Sequence, residues 1–480
     1  MVTALFWKTG RLFSRYGRER SVSKKLPCLQ EHFQVCLMKG SGMKELTYQE
    51  AADYVEELPL HTKKNPFELN QRFYEWLGEP GSHSKIVHIA GTNGKGSVCA
   101  YLNSVLTGAG YCVGMFTSPH LVDIRERFVL NNEQIPERVF TDLLSKLQSC
   151  LADFEGGAYH PTFFETLFFM FMLWMEEEKP DVILLETGMG GRLDVTNVIR
   201  HPVLTVITRI GLDHCQYLGE TAARIAQEKA GIFKQGVPAV CLETEEEVKN
   251  VFVEKAGKLS VPLCLVSKKQ VAFSNLKKNC IDFFMESAYY RYIEAHLGTV
   301  ALYQVENAAL TVRALEQIAP VLEVTAQQVE DGLSSMRWKA RMEEVLRDFF
   351  VDGAHNPDGI NAFLESVGQD GWEGQRWLLF GACADKSVAK MIDMTARSGL
   401  FDRVTITMIH SARSSDKEAL AAMFEAGGVK IDRIFEDAGE AFSFLVRERG
   451  ERTRIYCAGS LYLAGEIERC VMDRQEVTHD

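Results

Sequence analysis

The chain has 480 residues, 46% of them hydrophobic and 25% charged, and carries a formal net charge of −12. That is the profile of a globular protein with a sizeable core, long enough for two or three domains. It excludes a chain disordered throughout, a collagen-like repeat and a coiled coil, and the acidic balance speaks against a nucleic-acid binder, which needs a basic surplus to displace counterions.

The first 42 residues stand apart. They hold eight Lys and Arg (Lys8, Arg11, Arg15, Arg18, Arg20, Lys24, Lys25, Lys39) against Glu19 and Glu31, which leaves −18 on the remainder. An Arg-rich, acid-poor opening fits an organellar transit peptide. The reading preferred here is a basic disordered extension or a mis-set start, with Met43 as the true first residue and helical patterning from Thr47.

Strands and helices then alternate. Lys85 to Ala90 predicts a buried strand running into a Gly-rich turn, followed by a helix from about Ser97 to Leu106 and a strand over Tyr111 to Phe116. Leu167 to Met175 is the longest apolar run. A membrane-spanning helix needs about 20 apolar residues. Glu165 and Glu176, Glu177 and Glu178 bracket this run, so it reads as a buried helix and no membrane partner is expected. Asp181 to Leu185 and Pro202 to Ile207 are continuous apolar strands of the kind found in parallel sheets covered on both faces. Residues 270–294 read as antiparallel strands, with helices near 302–318 and 324–335. After about residue 340 a second alternating series begins, with strands at Glu344 to Val351, Trp377 to Phe380, Val404 to Met408 and Arg454 to Cys457. The expected architecture is therefore α/β: residues 43–340 as one domain with a mainly parallel sheet, and 341–480 as a smaller Rossmann-like domain. Twelve scattered cysteines with no C-x-x-C pair suggest reduced thiols in a cytoplasm and no cysteine zinc site.

Chemistry concentrates at strand ends. Gly91-Thr92-Asn93-Gly94-Lys95-Gly96-Ser97 lies between a strand and a helix. Glycines let such a loop turn its N–H groups toward an anion, the helix N-terminus adds a positive dipole, and Lys95 can bridge phosphates. Gly96 separates Lys95 from Ser97, a departure from the common G-x-x-x-x-G-K-[ST] spacing. The alternative is a plain Gly-rich turn; the strand–loop–lysine–helix context favours a nucleotide. Glu186 closes the strand Val182 to Leu185, where α/β proteins place ligands, though an acid there also serves as a cap or ion-pair partner.

The loop resembles the phosphate loop of the folylpolyglutamate synthases and dihydrofolate synthases, which are Mur-ligase-like amide ligases. The resemblance extends in order through Thr117-Ser118-Pro119-His120-Leu121, Glu186-Thr187-Gly188-Met189-Gly190-Gly191-Arg192-Leu193-Asp194, Leu212-Asp213-His214, Glu228-Lys229-Ala230-Gly231-Ile232, Tyr303-Gln304-Val305-Glu306-Asn307 and Asp352-Gly353-Ala354-His355-Asn356-Pro357. It implies a two-domain, ATP-dependent ligase that joins L-glutamate to a pteroate or folate carboxylate through an acyl phosphate; the alternatives are a related ligase acting on a cell-wall precursor, which a substrate panel separates, and a non-catalytic nucleotide-binding regulator, which glutamate- and pterin-dependent ADP release separates. It implies ATP contacts from Gly94, Lys95, Gly96, Ser97, Asn307, Arg341 and Asp352, one or two Mg²⁺ on Ser118, Glu186 and His214, carbamylation of Lys229, and His355 close to the reaction. For the pterin and glutamate it points to Thr162, Phe163, Phe164, Glu165, Leu193, Asp194, Val195, Asp385, Lys386, Arg413 and Ser460, and to the loop Lys64-Asn65-Pro66-Phe67. A monomer is implied. On their own residues, Phe163 and Phe164 read as core, Lys229 as a solvated helix residue and Arg341 as a charge beside a linker. The family pattern W-x-G-R-x-E is here Trp338-Lys339-Ala340-Arg341-Met342-Glu343, with alanine in place of glycine.

Overall fold

The computed structural model describes residues 46–59, 65–267, 270–277, 280–384, 387–411 and 413–477. The basic segment 1–42, Lys64, Asp385 and Lys386 lie outside the described residues.

The apolar runs form the expected strands. An eight-stranded sheet contains β1 (Lys85–Ala90), β2 (Val113–Phe116), β3 (Phe128–Leu130), β4 (Glu133–Gln134), β5 (Val182–Glu186), β6 (Leu204–Ile207), β7 (Ala239–Leu242) and β8 (Leu263–Val266). Their order is β4-β3-β2-β5-β1-β6-β7-β8, and β2, β5, β1, β6, β7 and β8 run parallel. β1 is central, so the loops leaving β1, β5, β2 and β6 open on the same sheet edge, where ligands of α/β proteins bind. Each of these four strands is buried along almost its whole length, which explains why they read as largely apolar stretches rather than alternating ones. The apolar run near 170 is the helix Phe163–Glu178, whose residues from Leu167 to Met175 are all buried. Among the described residues, no helix is long and apolar enough to cross a membrane, and the ten described cysteines are free thiols.

The antiparallel expectation over 270–294 is met by a three-stranded sheet of β9 (Val271–Lys277), β10 (Cys280–Ser287) and β11 (Arg291–Leu297). Helices Tyr303–Ile318 and Ala326–Ser335 share one apolar cluster with β10, β11 and the helix Lys95–Gly108. The third sheet has six strands: β12 (Glu343–Leu346), β13 (Phe349–Val351), β14 (Gln375–Phe380), β15 (Arg403–Thr407), β16 (Ile431–Phe435) and β17 (Thr453–Ala458), in the order β12-β13-β17-β14-β15-β16. One expectation is corrected here. Glu344 to Val351 is not a single strand but an antiparallel hairpin, because the chain reverses at Arg347-Asp348 with Asp348 at φ +56°. Ala340, in place of the motif's glycine, takes φ +53°, so the left-handed backbone survives the substitution.

Candidate active site

A cleft of about 1590 Å³ lies at the carboxyl ends of β1, β2, β5 and β6 and is closed on its far side by residues that follow β13 and β17. Its floor is the glycine-rich loop Gly91-Thr92-Asn93-Gly94-Lys95-Gly96-Ser97. Gly94 sits at φ +92° and opens the helix Lys95–Gly108, whose first turn directs N–H groups into the cleft. The left-handed conformation and the side chain of Asn307, whose Oδ1 would lie 2.4 Å from an added Cβ, together require glycine at 94. Asn307 is held by donating to Gln304 Oε1 at 2.8 Å, and Gln304 in turn donates to the hydroxyl of the buried Ser97 at 3.2 Å.

Lys95 Nζ donates to Thr92 O at 3.2 Å and lies 3.7 Å from Glu186 Oε1. Glu186 is buried, and its Oε2 accepts from the Ser118 N–H at 3.2 Å. Burial raises its carboxyl pKa, and the positive charges of Lys95, Arg341 and Arg127 oppose that rise. Lys95, Ser118 and Glu186 are thus brought together. His214 faces the same cleft at the start of the short helix Cys215–Leu218, with its ring half exposed and 3.8 Å from Asp213. Desolvation, reinforced by Lys95, His355 and Lys229, lowers its pKa against the pull of Asp213, which keeps the imidazole neutral at pH 7.

Lys229 was read from its sequence alone as solvated; the structure corrects this. It is 4% exposed, and its Nζ donates to Gly91 O at 2.6 Å. Burial first, then the charge of Lys95, brings its pKa down to about 7. The turn Gly190-Gly191-Arg192 locks the end of the helix Ala222–Lys229: Arg192 N donates to Glu228 O at 2.8 Å, and Asn197 Nδ2 reaches Arg192 O at 3.1 Å.

On the opposite wall, Arg341 Nη1 donates to Ala340 O at 2.8 Å, and its charge is felt by both Glu186 and Asp352. Asp352 is buried and accepts from Tyr303 Oη at 2.5 Å, Met342 N at 3.0 Å and Ala354 N at 2.8 Å. His355 Nδ1 pairs with Gly353 O at 2.8 Å, and its Nε2 lies 3.7 Å from Asp213 Oδ2. Burial alone would raise the Asp213 carboxyl, but His355, His214 and the amide of Asn356 hold it well below the usual carboxylate range. Arg413 is exposed on the cleft wall, and Ser460 is buried there with its Oγ accepting from Tyr462 N at 3.1 Å.

The acceptor side separates residues that the sequence could not. Thr162 N donates to Glu165 Oε2 at 2.8 Å, starting the helix Phe163–Glu178. Glu165 is buried and also accepts from Asn65 at 2.9 Å and Asn70 at 2.7 Å, so its carboxylate is occupied within the protein. Phe163 is core, with the Arg127 guanidinium 5.1 Å from its ring centre. Phe164 is half-buried and borders the cleft. Asp194 is turned inward: Oδ1 accepts from Thr196 Oγ1 at 2.6 Å and Oδ2 from Met189 N at 2.9 Å. Val195 is buried, whereas Leu193 is 47% exposed at the cleft mouth.

Among the cleft residues that escaped the sequence reading are Arg127 and Tyr217. Arg127 is 6% exposed and uses Nε on His120 Nδ1 at 2.9 Å. Burial lowers its pKa to about 10. In the charged run Arg125-Glu126-Arg127 nothing marks the third residue as buried. Tyr217, 54% exposed at the cleft edge, has a weak signal in the aromatic that follows Asp213-His214.

Residues 89–315 match the Mur ligase middle domain, and 340–461 match the Mur ligase glutamate ligase domain. The dihydrofolate synthase/folylpolyglutamate synthase of Bacillus subtilis is 31% identical over 404 residues, covering 82% of this chain and 92% of that protein. The folylpolyglutamate synthase of Lacticaseibacillus casei is 28% identical over 441 residues, covering 89% and 99%. Among solved structures, E. coli FolC in complex with DHPP and ADP superposes with a TM-score of 0.79 at 25% identity, covering 90% of this chain and 99% of that one. Folylpolyglutamate synthase from Thermotoga maritima gives 0.76 at 29%, covering 88% and 96%.

Proposed function

The chain belongs to the Mur ligase family, in the branch of the dihydrofolate and folylpolyglutamate synthases, and from that premise we propose that it joins L-glutamate to a pteroate or folate carboxylate with cleavage of ATP to ADP and phosphate. The observation that carries this reading is the Lys95–Glu186 pair, 3.7 Å apart at the N-terminus of a helix and inside one cleft. A cation beside a buried carboxylate at a phosphate loop is what positions a triphosphate and its counter-ion.

The N–H groups of Gly94 to Ser97 and the Lys95 ammonium receive the phosphates. Asn307, Arg341 and Asp352 approach the nucleotide from the other wall. Arg341 is the residue suited to charge that builds on the transferred phosphoryl group, because a guanidinium forks onto two oxygens. Among the described residues no three His, Cys, Asp or Glu side chains form a ready metal cage. Magnesium usually keeps several waters and binds through one or two carboxylates plus phosphate, so Glu186, the Ser118 hydroxyl and neutral His214 are a fitting set. When bound there, magnesium neutralises phosphate charge. The acceptor carboxylate oxygen attacks the γ-phosphorus and the bond to the bridging oxygen breaks, giving ADP and an acyl phosphate. The glutamate amine then attacks the acyl carbon, and phosphate and a proton leave. Phe164 and Leu193 flank the acceptor; Arg413, Ser460, Asp385 and Lys386 serve the incoming glutamate, and His355 acts close to the reaction. With its pKa brought down to about 7, a substantial share of Lys229 is the neutral amine that combines with CO₂ near that pH, and the resulting carbamate, formed with release of a proton, supplies an anionic oxygen near Lys95. Segments 43–340 and 341–480 act as two domains that close over the substrates in a cytoplasmic monomer.

A coupled assay offering dihydropteroate and tetrahydrofolate separately, with ATP and glutamate, tests the reading. Glutamate-dependent ADP release with at least one acceptor is expected. Lys95→Ala should abolish turnover with the fold retained; full activity in that variant contradicts the assigned role.

A further inference from the structure

The strap that follows β6, residues 208–213, holds the phosphate loop by one side and the C-terminal part of the chain by the other. On the loop side, Arg209 O accepts from Thr92 N at 2.8 Å and from Asn93 N at 3.3 Å. Thr208 Oγ1 donates to Asn93 O at 2.7 Å, and Thr92 Oγ1 pairs with Gly211 N and O, both at 3.1 Å. On the other side, Arg209 Nε donates to Asp358 Oδ1 at 2.9 Å and Oδ2 at 3.1 Å, and its Nη1 to Glu306 Oε2 at 3.2 Å. Asp358 lies in the first turn of the helix Pro357–Gln369. That turn sits so close that a Cβ on Gly211 would fall 2.8 Å from Asp358 Cβ. Asn93 completes the junction: its Nδ2 donates to Asp358 Oδ2 at 2.9 Å and to Asn356 Oδ1 at 3.1 Å, while Asn356 Nδ2 returns to Asn93 Oδ1 at 3.0 Å.

We infer that Arg209 is a positioning residue that couples the seating of the Pro357–Gln369 helix to the shape of the phosphate loop, so that ATP binds the loop well only when that helix is docked. The Arg209 guanidinium is engaged by Asp358 and Glu306. Its backbone fixes the two loop residues that precede Gly94, and its side chain fixes the helix. A guanidinium bridging two carboxylates in a partly buried site is a directional tie: Nε spans both oxygens of Asp358, while Nη1 reaches a different helix. The partners of the tie, Thr92 and Asn93 in the loop and Asp358 and Glu306 on two helices, belong to the nucleotide side of the reading, so the effect is expected on the nucleotide rather than on the acceptor.

This rests on the ligase reading above, and the test keeps the two apart. Steady-state constants are measured for the wild type, Arg209→Gln, Arg209→Lys, Asp358→Asn and the double variant Arg209→Gln/Asp358→Asn, with magnesium-ADP affinity measured by calorimetry on the same proteins. The expected result is a KM for ATP and a Kd for ADP raised on the order of tenfold in Arg209→Gln, within the usual range for coupled sites. The KM for the acceptor stays within about twofold, Arg209→Lys lies between Gln and wild type, and the double variant is no worse than the more affected single one. Equal rises in the two KM values, unchanged nucleotide constants or additive single effects would overturn the inference. A wild type without turnover would instead refute the ligase reading, and the ADP calorimetry would still decide the coupling.

Discussion

Replacing Gly94 by alanine tests the phosphate loop at the point where geometry leaves least room. The residue sits at φ +92°, and an added Cβ would come within 2.4 Å of Asn307 Oδ1 and 3.3 Å of its Cγ. Holding an L-residue in the left-handed region costs about 1–2 kcal/mol. Asn307 is 5% exposed and has to move, which breaks its 2.8 Å bond to Gln304. That adds about 1 kcal/mol. The total of about 2–3 kcal/mol appears as weaker binding if the free loop relaxes and as lower stability if it does not. Fully expressed in binding, it is roughly a 30- to 150-fold loss of nucleotide affinity. Calorimetry with magnesium-ADP and thermal unfolding on the same variant measure both shares. Gly108→Ala is the control, since nothing lies within 4 Å of its added Cβ at the far end of the same helix. A Gly94→Ala protein with a Kd within about threefold of wild type and a midpoint within about 1 °C would refute the assignment of this glycine.

Lys229 predicts a pH effect with a definite sign. Its folded pKa is about 7 against an ordinary 10.5, so between those values the unfolded chain binds more protons and stability rises with pH; below about 7 this contribution is flat. In CO₂-free buffer, urea unfolding should therefore show the wild type gaining more stability from pH 7 to 9 than Lys229→Met, and equal gains would contradict the burial of a neutral amine. With ¹³C-bicarbonate added, a carbamate carbonyl resonance is expected in the wild type and absent in Lys229→Arg. Phe163 and Phe164 should part company: Phe163→Ala loses about 3–4 kcal/mol of stability with the acceptor KM nearly unchanged, whereas Phe164→Ala raises the acceptor KM about tenfold with a smaller loss of stability. The reverse pattern would exchange their roles.

The central sheet was legible because burial on both faces writes itself into the sequence as runs without polar alternation, unbroken in Val182 to Leu185 and interrupted only by His88 in Ile86 to Ala90. The strand–loop–helix unit around Lys95 was legible for a related reason: its glycines, lysine and following helix are contiguous. Residues whose function depends on distant neighbours were not. Nothing local distinguishes Arg127, 6% exposed, from Arg125 two positions earlier. Lys229 is likewise concealed, because the carbonyl it donates to, Gly91 O, lies 138 residues away in the sequence. Glu165 and Asp194 fell in motifs that the family resemblance ties to substrate, yet their carboxylates are engaged by Asn65, Asn70, Thr196 and Met189, the interior bonds that shape the cleft walls. The hairpin at Asp348 was missed because Glu344 to Val351 has the apolar content of one strand, and only the pairing of Glu343 with Val351 reveals the reversal.

The most direct measurement of the whole account follows oxygen. Acceptor labelled with ¹⁸O in its carboxylate, as dihydropteroate and as tetrahydrofolate in parallel, is turned over with ATP and L-glutamate, and the released phosphate is analysed by mass spectrometry. Attack of the carboxylate on the γ-phosphorus beside Lys95 and Glu186 predicts one ¹⁸O atom in each phosphate formed, with ADP as the other product. Product amide accompanied by unlabelled phosphate would contradict an acyl phosphate and with it the role given to this cleft.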